Sequence, residues 1–312
     1  MAGKRTIWLL DNSVLSKYTT PFMIKAGAEF GMEIIPMNVD NFRFTIDEKN
    51  RMAWYYKGKK IDFKPDLVID RMVNPRSLRE TFRRYCDISG IRIVNRTLPY
   101  QWADDKIVTH MILSKKGIKS PDIMLIGPDF KFRKKIKFPV ILKHKSKYHG
   151  KGTFLVNSID EIKDIVGKKF QNYFIQEYIE ESRGVDIRVH MANNRVVGAY
   201  KRTNIDGFLS NLKAGGKAEV LEKIPGDLKK LAIKVSKASR LDIVGIDFLV
   251  AKNGEYLVCE VNRTPGWLGF LDKDFNIKVD FPRKIMREML RIIVEREKRV
   301  AKSEAKKLQK NE

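Results

Sequence analysis

Apolar and polar positions change period along the chain, and the period predicts the element. Up to about residue 97, short apolar runs alternate with amphipathic stretches. Residues 7–10 and 34–37 have the length of buried strands, and they flank a helix expected over about 21–30 that Gly31 ends. Residues 42–46 and 53–56 read as a small hairpin, Lys57-Gly58-Lys59 as a further turn, and 66–70 as a strand after Pro65. Leu78, Phe82, Tyr85 and Ile88 recur at helical spacing within 76–89, Gly90 closes that helix, and 91–94 is the next strand. Strands alternating with helices predict a mainly parallel sheet covered on both faces.

The next segment, 98–183, opens with helical sequence through Ile107, Met111 and Leu113, stopped at Gly117. Strands are expected at 123–126, 139–143, 153–156 and 173–179, and Ser158-Ile159-Asp160-Glu161 is a helix-start capping box. From Gly184 onward, 186–191 and 195–203 pair around Asn193-Asn194. A polar stretch with Ser210-Asn211 and Gly215-Gly216 follows, then a helix over 225–240. Two apolar runs, 244–250 and 255–261, are joined by Lys252-Asn253-Gly254, and Asn-Gly between such runs signals a hairpin. Strict alternation puts Gly245, Asp247 and Leu249 on one side of the first strand. Tyr256, Val258, Glu260 and Asn262 share a side of the return strand. Two carboxylates and an amide can therefore meet on one face of strands otherwise built for burial. From Pro282 the chain is amphipathic through Ile285, Met289, Ile293 and Val300, a docked helix whose last turns are expected to fray. Three parts result: 1–97, 98–183, and 184–312 with the last helix.

Composition narrows the class. The 312 residues are 43% hydrophobic and 32% charged, which suits a globular chain and not a disordered one. No apolar run approaches the roughly 20 residues that span a bilayer, and the opening apolar run is cut off by Asp11 and Asn12. Cys86 and Cys259 lie far apart inside expected elements, so a reducing compartment is expected and the cytoplasm is the default. Charge changes the picture more. With 62 Lys and Arg against 38 Asp and Glu, the net +24 attracts nucleotides, nucleic acid or an acidic peptide. The basic terminal helix lacks aromatic residues for stacking bases, so nucleic acid is the less favoured partner.

Chemistry concentrates after residue 140. Oxygen donors from Asp247, Glu260 and Asn262 suit a hard cation, although surface acids bridged to lysines would give the same pattern. Lys143 ends an apolar strand and leads into a loop, residues 144–152, whose Gly150-Lys151-Gly152 lets backbone N–H groups approach phosphate while lysines neutralise it. Gln176-Glu177-Tyr178-Ile179 ends another buried strand, where backbone and side chains can hold an adenine ring. Asp186 and Arg188 share one strand face and Arg202 ends the partner strand; arginine binds carboxylate or phosphate with two parallel bonds. The four histidines, His110, His144, His149 and His190, lack zinc-ligand spacing, and His110 is expected on a helix surface. A Walker loop, a dinucleotide fingerprint and a nucleophile elbow are all absent.

In this order these pieces resemble the ATP-grasp family, most closely its branch of ribosomal-protein-modifying glutamate ligases and amino-acid ligases. The resemblance rests on Asp105-Lys106, Lys143 with its glycine loop, Gln176 to Ile179, Asp186-Ile187-Arg188, Arg202, Ser210-Asn211-Leu212 with Gly215-Gly216, and Gly245-Ile246-Asp247 leading to Glu260-Val261-Asn262 and Pro265-Gly266. It covers residues 98–271. It implies an α/β chain, α+β in its ATP-binding part, with an N-terminal parallel-sheet subdomain and two α+β subdomains enclosing the nucleotide. It also implies that Lys106 and Lys143 contact the phosphates, that Gln176, Glu177, Tyr178, Ile179 and Glu180 border adenine and ribose, and that Gly150 and Gly152 close over the phosphates. By the same resemblance, Asp186 and Asn211 would complete the nucleotide site. Asp247, Glu260 and Asn262 would hold two Mg²⁺ ions, with Mn²⁺ as a substitute, while Arg202 and Arg188 stabilise charge at the acyl centre. The implied activity joins a carboxylate to an amine through an acylphosphate, with an amino acid such as glutamate and an acidic acceptor as partners. No membrane partner is expected, and a homo-oligomer is compatible. The loop here is more basic than the branch's usual version, and Arg263-Thr264 after Asn262 is expected to add a cation beside the metals. A kinase on the same site, releasing no free phosphate, and a non-catalytic RNA-binding scaffold are the competing functions.

Overall fold

A computed structural model describes residues 5–11, 16–72, 77–130, 135–147, 150–212, 215–272, 274 and 277–311. Tyr148, His149 and the expected start of the second helix at 76 lie outside them. The chain forms two compact units, residues 1–97 with 279–312, and residues 98–278.

The first unit contains β1 (Arg5–Leu10), α1 (Ser16–Ala28), β2 (Met32–Met37), β3 (Phe42–Ile46), β4 (Met52–Tyr56), β5 (Lys59–Lys60), β6 (Leu67–Asp70), α2 (Ser77–Ile88) and β7 (Ile93–Val94). The sheet β2-β1-β6-β7 is parallel throughout, as the strand–helix alternation predicts. Helix α1 starts before Pro21, which sits inside it; a proline this close to the N-terminus forfeits only an early intrahelical bond. Lys59 and Lys60 pair with Tyr56 and Tyr55, so the expected hairpin is a three-stranded meander. Trp8, Phe42, Trp54 and Phe82 make the aromatic centre of the core. At the end of β6, buried Asp70 accepts bonds from Arg79 Nε at 3.0 Å and Arg83 Nη1 at 2.5 Å.

The last helix, Phe281–Asn311, belongs to this unit and not with residues 184–278. Phe281, Ile285, Met286, Met289 and Ile293 form its buried stripe, and it packs on α1. It is helical to Asn311, with residues 295–306 exposed. No helix among the described residues is long and apolar enough to cross a membrane.

The second unit runs from α3 (Thr97–Trp102) and α4 (Lys106–Lys115) through β8 (Ile123–Leu125), β9 (Val140–His144), β10 (Thr153–Val156), α5 (Ile159–Val166) and β11 (Tyr173–Glu177). It continues with β12 (Val185–Ala192), β13 (Arg195–Thr203), β14 (Lys217–Val220), α6 (Gly226–Ser239), β15 (Ile243–Val250) and β16 (Tyr256–Asn262). The helical sequence after residue 98 breaks in two because Asp105 caps a new helix, its side chain accepting from Ile107 N at 2.7 Å. Ser158 caps α5 as expected, while Glu161 reaches back to Asn157 N. Two antiparallel sheets result, β10-β9-β11-β8 and β14-β13-β12-β15-β16. Asn193 and Asn194 take left-handed φ of 47° and 60° in the β12–β13 turn, which suits the twist of a tight hairpin. The larger sheet buries Val189, Met191, Val244, Ile246, Phe248, Val258 and Val261 against Leu228, Ala232 and Val235 of α6.

Candidate active site

Strict alternation fails on β16. Asp247 pairs with Glu260 but Phe248 pairs with Val258, leaving Cys259 as the extra residue of a β-bulge. Val258 therefore points into the core, not beside Glu260, and Cys259 faces the site with Glu260. The bulge keeps Asp247 opposite Glu260, so the acids converge as expected although the periodicity behind that expectation breaks.

Register then builds a row across four strands: Tyr200 opposite Arg188, Arg188 opposite Asp247, Asp247 opposite Glu260. Two residues along β12 and β13, on the same face, Asp186 opposes Arg202. The Arg188 guanidinium donates from Nε and Nη2 to the two Asp247 oxygens, each at 2.6 Å. Arg202 donates to Asp186 Oδ1 at 2.6 Å and Oδ2, and reaches Asp247 Oδ2 at 2.8 Å. Asn262 Nδ2 lies 3.4 Å from that same oxygen. Burial alone would raise the Asp247 carboxyl, but Arg188 and Arg202 outweigh it and hold the group well below the usual carboxylate range. Paired charges of this kind are expensive to desolvate, so their presence beside open space needs a reason other than stability.

The open space is a cleft of about 800 Å³ between the two sheets, continuous with solvent. The smaller sheet contributes Lys143, Gln176 and Glu177, and the chain just after it Tyr178 and Ile179; the larger sheet contributes Asp186, Arg202, Asp247, Cys259 and Glu260. Lys106, Gly150 and Asn211 reach the same walls. Lys106 Nζ sits 3.4 Å from Glu260 Oε1 and donates to the Lys147 carbonyl at 2.7 Å, tying the basic loop to the acid pair. Gly150 needs its missing side chain twice: its φ is +75°, and a Cβ there would lie 2.7 Å from Asn211 Nδ2. Gly152, at φ +69°, closes the loop by accepting from His144 N at 2.8 Å but does not line the cleft. Gln176 is buried, and its Nε2 has no hydrogen-bond partner among the described residues.

Not every expected residue reaches the wall. Glu180 is exposed in a short 3₁₀ turn, and β11 ends at Glu177, short of the expected 179. Arg188 and Asn262 do not line the cleft wall themselves, but both bond Asp247, which does. Arg263 turns away from the acids altogether, stacking 3.8 Å over the Tyr100 ring and pairing with Asp104. His110 is buried and not on a helix surface; burial, aided by Lys143 and Lys106, pulls its pKa down to about 4. Among residues without a sequence signal, Cys259 depends on the bulge, and Ser182 joins the wall while its Oγ bridges both backbone groups of Val250. Tyr200 could not have been read from the expected 186–191/195–203 pairing, which sets Ala199 across from Arg188; a register shift beyond His190 brings Tyr200 there instead.

A cleft between two antiparallel sheets, walled by lysines on one side and arginine-clamped acids on the other, is the architecture of an ATP-grasp ligase. A family model of the RimK-like ATP-grasp domain matches residues 103–289. The human beta-citrylglutamate synthase B is 30% identical over 290 residues, covering 88% of this chain and 74% of the relative. A probable alpha-L-glutamate ligase 2 from Hahella chejuensis is 28% identical, covering 81% and 86%. Among solved structures, a RimK domain ATP-grasp protein from Sphaerobacter thermophilus superposes with a TM-score of 0.65 at 17% identity, over 91% of this chain and 99% of that one. The chain belongs to the RimK-like ATP-grasp family and is an ATP-grasp ligase.

Proposed function

We propose that the unit 98–278 joins a carboxylate to an amine at the expense of ATP, with glutamate as one substrate and an acidic molecule or peptide as acceptor. The names of the human and Hahella relatives support glutamate. The cationic loop residues Lys145, Lys147 and Lys151 support an anionic acceptor. The observation that carries the reading is Asp247, clamped by Arg188 and Arg202 and set opposite Glu260 on the cleft wall.

The donor set fits a divalent ion that keeps phosphate and water ligands: two carboxylates facing each other across β15 and β16, with the amide of Asn262 beside Asp247. Asp247 is held ionised, and Glu260 is 29% exposed toward the cleft. Asp247, Glu260 and Asn262 would hold the ion, whose charge offsets that of the triphosphate when bound. Lys106 and Lys143 neutralise phosphate oxygens, and residues 176–179 receive the base. The substrate carboxylate oxygen then attacks the γ-phosphorus as the bond to ADP breaks, giving an acylphosphate. The amine nitrogen attacks the acyl carbon, inorganic phosphate leaves with the bonding pair, and the amine releases a proton. Arg202, on the cleft wall, stabilises the oxyanion formed between these events, with Arg188 adding its charge through Asp247, and these fixed charges need no rearrangement to do so.

The test is ADP and phosphate release screened over glutamate and other amino acids paired with acidic acceptors. Stoichiometric ADP, free phosphate and an amide product are expected. ADP with phosphate retained on the acceptor would replace the ligase assignment with a kinase.

A further inference from the structure

Arg263 lies outside the machinery just described, yet it is 7% exposed and engaged on both sides. Its guanidinium plane stacks 3.8 Å from the Tyr100 ring centre, and Nη2 donates to Asp104. Tyr100 is on α3, and Asp104 occupies the corner between α3 and α4. The next residue, Asp105, caps α4, and the one after it is Lys106. Lys106 in turn reaches back 3.4 Å to Glu260, three residues before Arg263 on the chain. The contacts close a circuit: β16 to the helix corner through Arg263, and the corner back to β16 through Lys106. A capped helix start is stiff, so fixing Asp104 fixes where the Lys106 stem begins. Lysine is a flexible point charge and cannot hold its own position.

We propose that Arg263 is a positioning residue for nucleotide binding: by clamping the α3–α4 corner to the end of β16, it holds Lys106 at the phosphate end of the cleft. The proposal rests on the nucleotide reading of that cleft. It also gives the cation after Asn262 a purpose other than adding charge beside a metal. A planar, stacked guanidinium is needed, so lysine at this position is not conservative.

The experiment measures ATP affinity by calorimetry in the presence of magnesium, with no dependence on turnover. Lys106→Ala, losing one charge-assisted contact, should weaken binding about tenfold. Arg263→Ser and the milder Asp104→Asn should each approach that loss. Arg263→Lys should recover only part of it. Combined with Lys106→Ala, neither should weaken binding further, because both act through the same ammonium. Wild-type affinity in Asp104→Asn and Arg263→Ser, or losses that multiply in the double variants, would overturn the proposal. Asp104 is 43% exposed, so its variant keeps the test decisive if Arg263→Ser fails to fold. A wild-type chain that binds no ATP would remove the nucleotide reading and the positioning role together. ATP binding by the wild type with unaffected variants would remove only the latter.

Discussion

Each unit of this chain buries an aspartate beneath two arginines. Asp70 takes Arg79 and Arg83 in the first unit, and Asp247 takes Arg188 and Arg202 in the second. The chemistry is the same and the surroundings are not. Asp70, Arg79 and Arg83 have no exposed side-chain surface, and the cluster also bonds local backbone at Met72 N and Asn95 O. In the second cluster Arg188 stays 13% exposed, and Asp247 faces Glu260 and a cleft. A sealed ion cluster ties a strand end to a helix; an unsealed one keeps charge poised where another charge can arrive. Buried Arg–Asp pairing therefore says little about role until one asks what lies on the open side.

The contrast can be broken at several points. Glu260→Gln, on the open side, should lower ADP release on the order of a thousandfold while leaving the denaturation midpoint in place. Normal turnover would detach the second cluster from catalysis. Arg202→Ala should lower turnover by on the order of a hundredfold or more, and should also destabilise by about 3–5 kcal/mol because Asp186 is left buried without its partner. Steady-state ADP release and urea unfolding separate those effects. Asp70→Asn should show the second effect alone: about 3–5 kcal/mol of lost stability, with the turnover of folded protein unchanged. A turnover defect there would mean the sealed cluster is not merely structural.

The smallest effect concerns His110. Its folded-state pKa of about 4 lies below the ordinary 6.5, so between those values the unfolded chain binds the extra proton. Stability from this group is complete above about pH 6.5 and is lost as pH falls, by up to about 3 kcal/mol at pH 4. His110→Leu should flatten urea-unfolding stability across that window. Asp247, depressed by its arginines, keeps its contribution above its ordinary 3.8 and loses it lower down, so the two slopes meet near pH 4 and His110 alone governs the window above about pH 5.

Much of this site is legible from local pattern. Asp247 and Glu260 come from a hairpin announced by Asn253-Gly254 and by apolar runs on either side. Lys143 and Gln176 sit at the ends of short apolar strands, where a side chain has a fixed base and an open direction. The bulge at Cys259 is not legible, because an extra residue in one strand leaves no mark on an apolar run. His110 misleads for a related reason: a polar residue on a helix reads as surface unless the sheet lying over it is known, and here Phe174 covers it.

What the sequence determined by itself is local: strand and helix positions, the shared face of Asp186 and Arg188, the glycines that a tight loop demands, and the family these motifs spell. Only the tertiary structure decided which charges meet. It turned Arg263 away from the acids onto Tyr100 and Asp104, and it paired Arg188 with Asp247. It also returned the last helix to the first unit across the length of the chain. The physical reason is that periodicity assigns a side chain to a face, whereas an ion pair depends on which distant segment packs against that face.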